Sequence, residues 1–451
     1  MNLDDLTNFA ASVVDRATSA GADAAEVVVR SGFETSIQVR DGDIEELQEG
    51  SPKSVGIRLW RGDRTASVLA TDFADAAIDR LIRDGLDLAQ ITDPIPELAL
   101  ADVDLLATEV PELDLYDPKV SDITAEQKLA MVREAESTAL AADERIARSA
   151  GAAYGDLVMN RVFATSHGFC HGYRESFVSY HVQVIADDAD GKKRNGYWYT
   201  FNRHADRLRT PAEVGRVAAE RTVRQLGAGP IPTAKLPVVF DPMAGAALIG
   251  LLFSVMRGGA VERRSSYLAD LLGERIGSDL LHLVDDPLIP GGPASRPFDG
   301  EGLPSRKTTF VDGGQLTSFA LNSYNARKLG MAPTGHASRP ASGRPGESST
   351  NLRLQAGTAS PESLIADIEH GLYVTGMMGF GFNPSTGDFS RGAQGFVIEN
   401  GQLGAPVSEV TVSANFADLF GALDAVANDL PTDRSVAAPT FRIAEMTIGG
   451  R

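Results

Sequence analysis

A single cysteine, Cys170, stands among 451 residues, so no disulfide within the chain and no four-thiolate metal site can form. Long apolar runs are missing too. The longest, Met243–Met256, carries one polar side chain, Ser254, and at fourteen residues falls short of a bilayer span. The start, MNLDDLTNF, has neither the basic beginning nor the apolar stretch of a secretion signal, which makes the cytoplasm the expected location. Positive charge is in deficit: 42 Lys and Arg face 61 Asp and Glu, for a net charge of −19. Such a surface repels phosphate backbones and anionic lipid, so neither nucleic acid nor membrane is expected as a partner. Arg203–Arg209 and Arg257–Arg264 are the two local concentrations of basic residues, and solvated faces are their ordinary reading.

Nucleotide and hydrolase signatures are absent as well. There is no GxxxxGK[ST] loop and no GxSxG elbow, since Gly387–Gly392 (GDFSRG) has the wrong spacing. Gly379-Phe-Gly381 lacks the third glycine of a dinucleotide loop. His167, Cys170 and His171 have the residue types of a metal site. Gly168 and Gly172 flank them, however, and Phe177–Val184 alternates as a strand, where positions four apart lie roughly 13 Å from each other. Asp187, Asp188 and Asp190 before Gly191 resemble the opening of a calcium loop, but Trp198 stands where the bidentate glutamate belongs, so a hairpin turn is expected. His181, His204, His282, His336 and His370 are scattered.

What is present has ordinary globular proportions, 43% hydrophobic and 23% charged, in a chain long enough for two or three domains. Leu6, Phe9, Val13 and Ala17 mark a first helix over Asp4–Ala20. Strands follow at Ala25–Arg30, Thr35–Arg40 and Ser54–Trp60, then a turn at Arg61–Arg64, a strand at Thr65–Leu69 and a helix over Ala74–Gln90. Ile91–Asp122 is a connection rich in Pro and Asp. Thr124 and Gln127 form a capping box for a helix to about Ala142. Strands are expected at Ile146–Ala153, Asp156–Thr165, Phe169–Ala186 and Lys193–Phe201, with a helix over Pro211–Leu226. Gly227–Thr233 (GAGPIPT) is the best linker and sets the expected division into domains 1–228 and 234–451.

The second half opens on Leu236–Gly259. A short strand, Leu236–Phe240, leads to Asp241 as cap and Pro242 as first residue of a helix. That helix is apolar all round and is expected to be buried on every side. Further helices are expected near Tyr267–Leu272, at Pro361–His370 and at Phe416–Asn428. Strands are expected at Lys307–Phe319 (a hairpin), Asn351–Gln355, Gly371–Thr375 and Thr440–Ile448, with a type I′ hairpin at Asn400–Gly401. Ala332–Ser349 is polar and rich in Gly and Pro, and reads as an exposed loop. The class is α+β: an N-terminal antiparallel sheet with flanking helices, then a β-rich domain around a buried central helix.

The block Gly379–Asn415, GFGFNPSTGDFSRGAQGFVIENGQLGAPVSEVTVSAN, resembles the C-terminal signature of the TldD/PmbA family. Ser265–Gly277, Val284–Gly292, Phe298–Pro304, Tyr324–Gly330 and Asn351–Gly357 agree in the same order, so the likeness covers roughly residues 236–448. The family implies a cytoplasmic zinc peptidase built from two kinds of subunit. The TldD kind carries HExxxH on the central helix and a later cysteine; the TldE, or PmbA, kind lacks both. Aligned without gaps from Asp241–Pro242, the two histidine positions fall on Gly250 and Val255 and the glutamate on Leu251, and no cysteine follows Cys170. The chain therefore resembles the non-catalytic kind, and the expectation is no catalytic residue, metal ligand or cofactor of its own.

The resemblance implies a heterodimer with a TldD-type zinc-bearing subunit that degrades or trims unfolded peptides, held strand-like against a sheet edge. A homodimer is possible when the partner is missing. Ser390, Arg391 and Gly392 at a turn, with His336, Arg339 and Arg344 in the Ala332–Ser349 loop, are the expected lining of the peptide chamber or the subunit seam. The alternative is a regulatory protein-binding module, related to gyrase or to toxin–antitoxin systems, without a peptidase role. A peptidase acting alone through a metal site rebuilt from His167, His171 and others is the third possibility.

Overall fold

The computed structural model describes residues 1–189 and 191–451. Helix α1 (Leu3–Ser19) begins at Asn2, whose side chain accepts from the Asp5 N–H while the Asp5 carboxylate accepts from the Asn2 N–H. Its stripe Leu6, Ala10, Val13 and Ala17 is buried on β1 (Ala24–Arg40). The sequence suggests two strands over β1. They merge because Gly32 continues the ladder to β5, at a place where a Cβ would collide with the Val158 carbonyl. Strand β2 (Asp43–Gly50) folds back on β1 and is exposed along most of its length, so it offers no apolar alternation to read. Strands β3 (Lys53–Arg61) and β4 (Arg64–Ala70) form the expected hairpin, and α2 (Asp75–Ile91) follows.

After the connection, which includes the short α3 (Lys119–Asp122), α4 (Ala125–Ala141) carries the Thr124–Gln127 box in both directions. Strands β5 (Ile146–Thr165), β6 (Cys170–Asp187) and β7 (Lys193–Asn202) complete the sheet before α5 (Pro211–Val223). The order is β4-β3-β1-β5-β6-β7, with β2 beside β1. Helices α1 and α2 pack on one half of a single sheet face and α4 and α5 on the other half. The opposite face is left to the second half of the chain. Asp187 ends β6 opposite Lys193 on β7, so the acidic stretch is a hairpin connection; Asp190 lies outside the described residues.

In the second half β8 (Ala234–Phe240) runs into α6 (Pro242–Val255) and α7 (Gly258–Glu262). Short strands β9 (Leu283–Asp285), β10 (Thr308–Asp312) and β11 (Gln315–Leu316) precede α8 (Ser323–Leu329). Then come β12 (Ala337–Ser338), β13 (Gly346–Glu347), β14 (Leu352–Leu354), β15 (His370–Met378), β16 (Asp388–Glu399) and β17 (Gln402–Asn415). Helix α9 (Phe416–Gly421), β18 (Leu423–Val426), β19 (Val436–Ala437) and β20 (Phe441–Gly449) close the described chain. Positive φ at Asn400 and Gly401 turns β16 into β17, as expected. Strand β17 also pairs with β20, so β17-β16-β15-β8-β20 close into a barrel and leave no free edge among themselves.

Three expected helices are shorter or absent, each for the same reason: tertiary partners claim their backbone. Over Tyr267–Leu272 there are only turns, tied by the Tyr267 N–H to the Pro384 carbonyl. Pro361–His370 reduces to one 3-10 turn, Pro361–Leu364, because His370 already pairs with Glu399 in the barrel. Phe416–Asn428 stops at Gly421, since Leu423–Val426 joins β20.

Candidate functional site

Helix α6 is fixed at its start by Asp241, which is nearly buried and accepts from the Ala244 N–H at 2.7 Å. Burial pushes the Asp241 carboxyl up, against the pull of that capping bond and of Arg221. Ala244, Gly245, Leu248, Leu252, Phe253 and Val255 face the core, and Gly245 lies so close to the Phe441 ring that a Cβ would sit 2.7 Å from it. Burial on every side is not what the structure shows. Met243, Ala246, Ala247, Gly250, Leu251 and Ser254 recur at helical spacing and stay partly or wholly exposed.

Of the three positions singled out on this helix, Gly250 looks onto open space, with nothing within 4 Å of a built Cβ. Leu251 is half-buried against the core and Val255 is fully buried. The open face has two heteroatoms that are not backbone, the Met243 thioether and the Ser254 hydroxyl, and the hydroxyl donates back to the Leu251 carbonyl at 2.6 Å. A peptidase zinc needs three His, Cys or carboxylate ligands and an open position. This face does not fit that ion.

One group of metal-type donors does converge among the described residues: Asp117, His204 and Asp206 place ligand atoms within 4.8 Å of one another. Each already has a protein partner. Asp117 accepts from the Lys119 and Ala205 N–H groups, Asp206 pairs with the Lys119 ammonium at 3.1 Å, and His204 Nε2 bonds the Asp114 carbonyl at 3.0 Å. They tie the 114–119 connection to the end of β7. His167 Nδ1 bonds the Ala101 carbonyl and His171 meets the Phe169 ring edge-to-face, and among the described residues neither joins a cluster of metal-type donors.

The other sequence candidates fall in two separate places. Ser390, Arg391 and Gly392 are in β16 rather than at a turn. Ser390 Oγ bonds Ser413 Oγ at 2.8 Å, and Arg391 Nε donates to the Gly379 carbonyl at the base of a loop whose Phe380 is wholly exposed. Ala332–Ser349 is not an exposed loop: it contains the β12–β13 hairpin, with residues 335–337, Pro345 and Glu347 buried, and is exposed mainly at Ala332 and at its tip around Arg344. His336 is buried, 3.2 Å from Asp285 and edge-on to Phe310. Arg339 crosses to the N-terminal sheet and binds Glu26. Polar residues are kept inside here because each finds a fixed partner.

A cleft of about 1050 Å³ was not legible in the sequence. It lies between the helix-free face of β6–β7 and the 293–294 and 433–436 segments of the second half. Phe177 and Phe201 stack at 5.4 Å, Tyr197 and Tyr199 at 6.4 Å, and the Arg434 guanidinium covers Tyr199 at 5.2 Å. Burial pushes His181 down and Tyr199 up. The available signal was the alternation of β6: Val178, Tyr180, Val182 and Val184 meet the helices, so Phe177, Ser179, His181 and Gln183 had to face elsewhere. Arg203, read as part of a solvated stretch, is 1% exposed; Glu175 and three backbone carbonyls hold it.

Family models for the PmbA/TldA metallopeptidase match residues 25–89 (domain 1), 118–226 (central domain) and 233–450 (C-terminal domain). The chain is 35% identical to the metalloprotease PmbA of Escherichia coli O157:H7, over 96% of this chain and 94% of that one. A crystal structure from Bacteroides thetaiotaomicron, described as a putative modulator of DNA gyrase, superposes with a TM-score of 0.93 at 30% identity, covering 99% of both chains. TldE from Thermococcus kodakarensis shares the fold at a TM-score of 0.87 and 20% identity, again over 99% of both.

Proposed function

The chain belongs to the PmbA/TldD metallopeptidase family, and from that premise we propose that it is the TldE/PmbA-like, non-catalytic subunit of a heterodimeric cytoplasmic zinc peptidase. Its partner is a TldD-type chain that supplies the zinc, and the pair degrades or trims unfolded peptides. The observation that carries this reading is the open face of α6, where Gly250 and Leu251 offer hydrogen and hydrocarbon in place of ligands and base. Val255 is turned into the core and cannot serve either. An apolar helix face left partly uncovered fits a surface that a second subunit closes. The aromatic cleft along the edge strand β7 is a natural wall for extended peptide, because main-chain pairing and ring contacts are indifferent to sequence.

The peptidase reading is tested by expressing the chain with a TldD-type subunit. Co-elution on size exclusion and peptide cleavage by the pair, above that of the zinc subunit alone, are expected; no association and no gain would end it. A regulatory role without proteolysis is favoured by the gyrase-modulator descriptions of the Bacteroides and Thermotoga maritima relatives. Recovery of gyrase in place of a TldD-type chain in a pull-down is the outcome that would support it.

A further inference from the structure

Beside the aromatic cleft, and sharing Phe177, Pro293 and Ala294 with it, lies a second cavity of about 320 Å³ between the N-terminal sheet and the 293–300 segment. Arg30, Arg161, Arg203, Arg296 and Arg339 line it, against two carboxylates, Glu175 and Asp299. In a chain of net charge −19 this is a local excess of three positive charges. Glu26, which binds Arg339, does not remove the excess, because Arg58 shares it at 2.5 Å and adds a charge of the other sign.

Two of the five guanidiniums are bonded through all three of their nitrogens. Arg203 donates to Glu175 and to the carbonyls of Gly292, Pro293 and Ser295, and Arg339 donates to Glu26 and the Gly300 carbonyl. The other three are not. Among the described residues Arg30 makes one hydrogen bond, to the Arg339 carbonyl at 2.6 Å; Arg296 makes one, to the Gly335 carbonyl at 3.5 Å; and Arg161 makes one, to Glu175. A guanidinium has five N–H donors. The Nε of Arg296 is buried with no hydrogen-bond partner among the described residues. Burial and the facing Arg161 charge both pull the Arg30 guanidinium below its ordinary value, while burial lifts Asp299 toward its neutral form. Like charges held together in a half-buried pocket, with donors the protein leaves unbonded, suit an anion that completes them.

The geometry points to a carboxylate site: Arg30, Arg161 and Arg296 receive the C-terminal carboxylate of a peptide whose preceding residues lie in the aromatic cleft. Planar forks match a carboxylate bidentately. The cavity suits one terminal residue, and the adjoining cleft has room for several more. This assignment rests on the peptide-handling reading, and it gives that reading a direction, with the chain end anchored in this subunit.

The test uses the full chain alone, without zinc or partner, so failure of subunit pairing cannot be mistaken for failure of this site. A fluorescein-labelled pool of short peptides is prepared with free C-terminal carboxylates and again as carboxamides, and binding is followed by anisotropy. The carboxylate pool is expected to bind about tenfold tighter, the value of one charge-assisted hydrogen-bond set. Arg296→Gln and Arg30→Gln should each remove most of that difference, weakening the acid pool more than the amide pool. Equal affinity of acid and amide on the unaltered protein overturns the assignment, whatever the variants do. Heat protection by inorganic phosphate without any acid–amide difference also overturns it, in favour of a free oxyanion.

Discussion

Arg339, on the β12–β13 hairpin, reaches across the molecule to bind Glu26 on β1 through both terminal nitrogens, and the two side chains are 7% and 3% exposed. Arg58 of β3 binds the same carboxylate at 2.5 Å. One glutamate thus holds two arginines from the two halves of the chain, and the hairpin that seemed too polar to pack is fastened by its polarity. Removing the shared acid should leave two buried cations unpaired.

Glu26→Gln is therefore expected to cost about 3–5 kcal/mol, the usual loss when one member of a buried ion pair is removed. Arg339→Met should cost less, because Glu26 keeps Arg58. Urea unfolding midpoints of the two variants check the ranking, and equal losses would contradict the shared-acid arrangement.

Asp241 caps α6 through the Ala244 N–H. Asp241→Ala should destabilise by about 1–2 kcal/mol, whereas Asp241→Asn, which retains the acceptor, should cost a fraction of that. Thermal unfolding of both variants at one pH measures it.

Burial, with Asp299 adding to it, holds the Glu301 carboxyl above its ordinary value of 4.5. A carboxyl raised in the fold stabilises it when protonated; that contribution is whole below the ordinary value and is lost as pH rises through the folded one. Glu301→Gln keeps an acceptor for the Ser323 N–H and has nothing to lose in that range. Its stability relative to the parent should rise as pH climbs from about 4.5. Unfolding midpoints of the two proteins across a pH series give the comparison, and a constant difference would rule the coupling out.

Gly250 faces open space on α6. Gly250→Ala should stabilise the isolated chain by about 0.5–1 kcal/mol, since a helix-interior glycine is replaced without a clash. Gly250→Trp should also fold, yet fail to associate with a TldD-type subunit if that subunit closes this face. Size exclusion of the tryptophan variant with the partner decides it.

Local chemistry was readable in the sequence and long-range pairing was not. The Thr124–Gln127 box, the Asp241–Pro242 helix start and the Asn400–Gly401 hairpin each depend on a few adjacent residues, and all are present. The α+β class and the family resemblance likewise hold. Leu423–Val426 could not be told from a helix, because its strand partner, β20, is separated from it by the 427–440 connection. Exposure of one α6 face was hidden for a different reason: an apolar face reads the same in sequence whether it is packed or open. The cleft and the arginine cavity join β1, β5, β6 and β7 to the 293–300 and 433–436 segments, and no motif spans such distances.

The central claim is that the open face of α6 cannot hold a catalytic zinc. Metal analysis of the purified chain after zinc loading and desalting, run beside a peptide-cleavage assay with and without chelator, tests it most directly. The account predicts substoichiometric zinc and no cleavage by the chain alone, with chelator-sensitive cleavage only after a TldD-type subunit is added. One tightly held zinc per chain with chelator-sensitive cleavage by the lone polypeptide would contradict it.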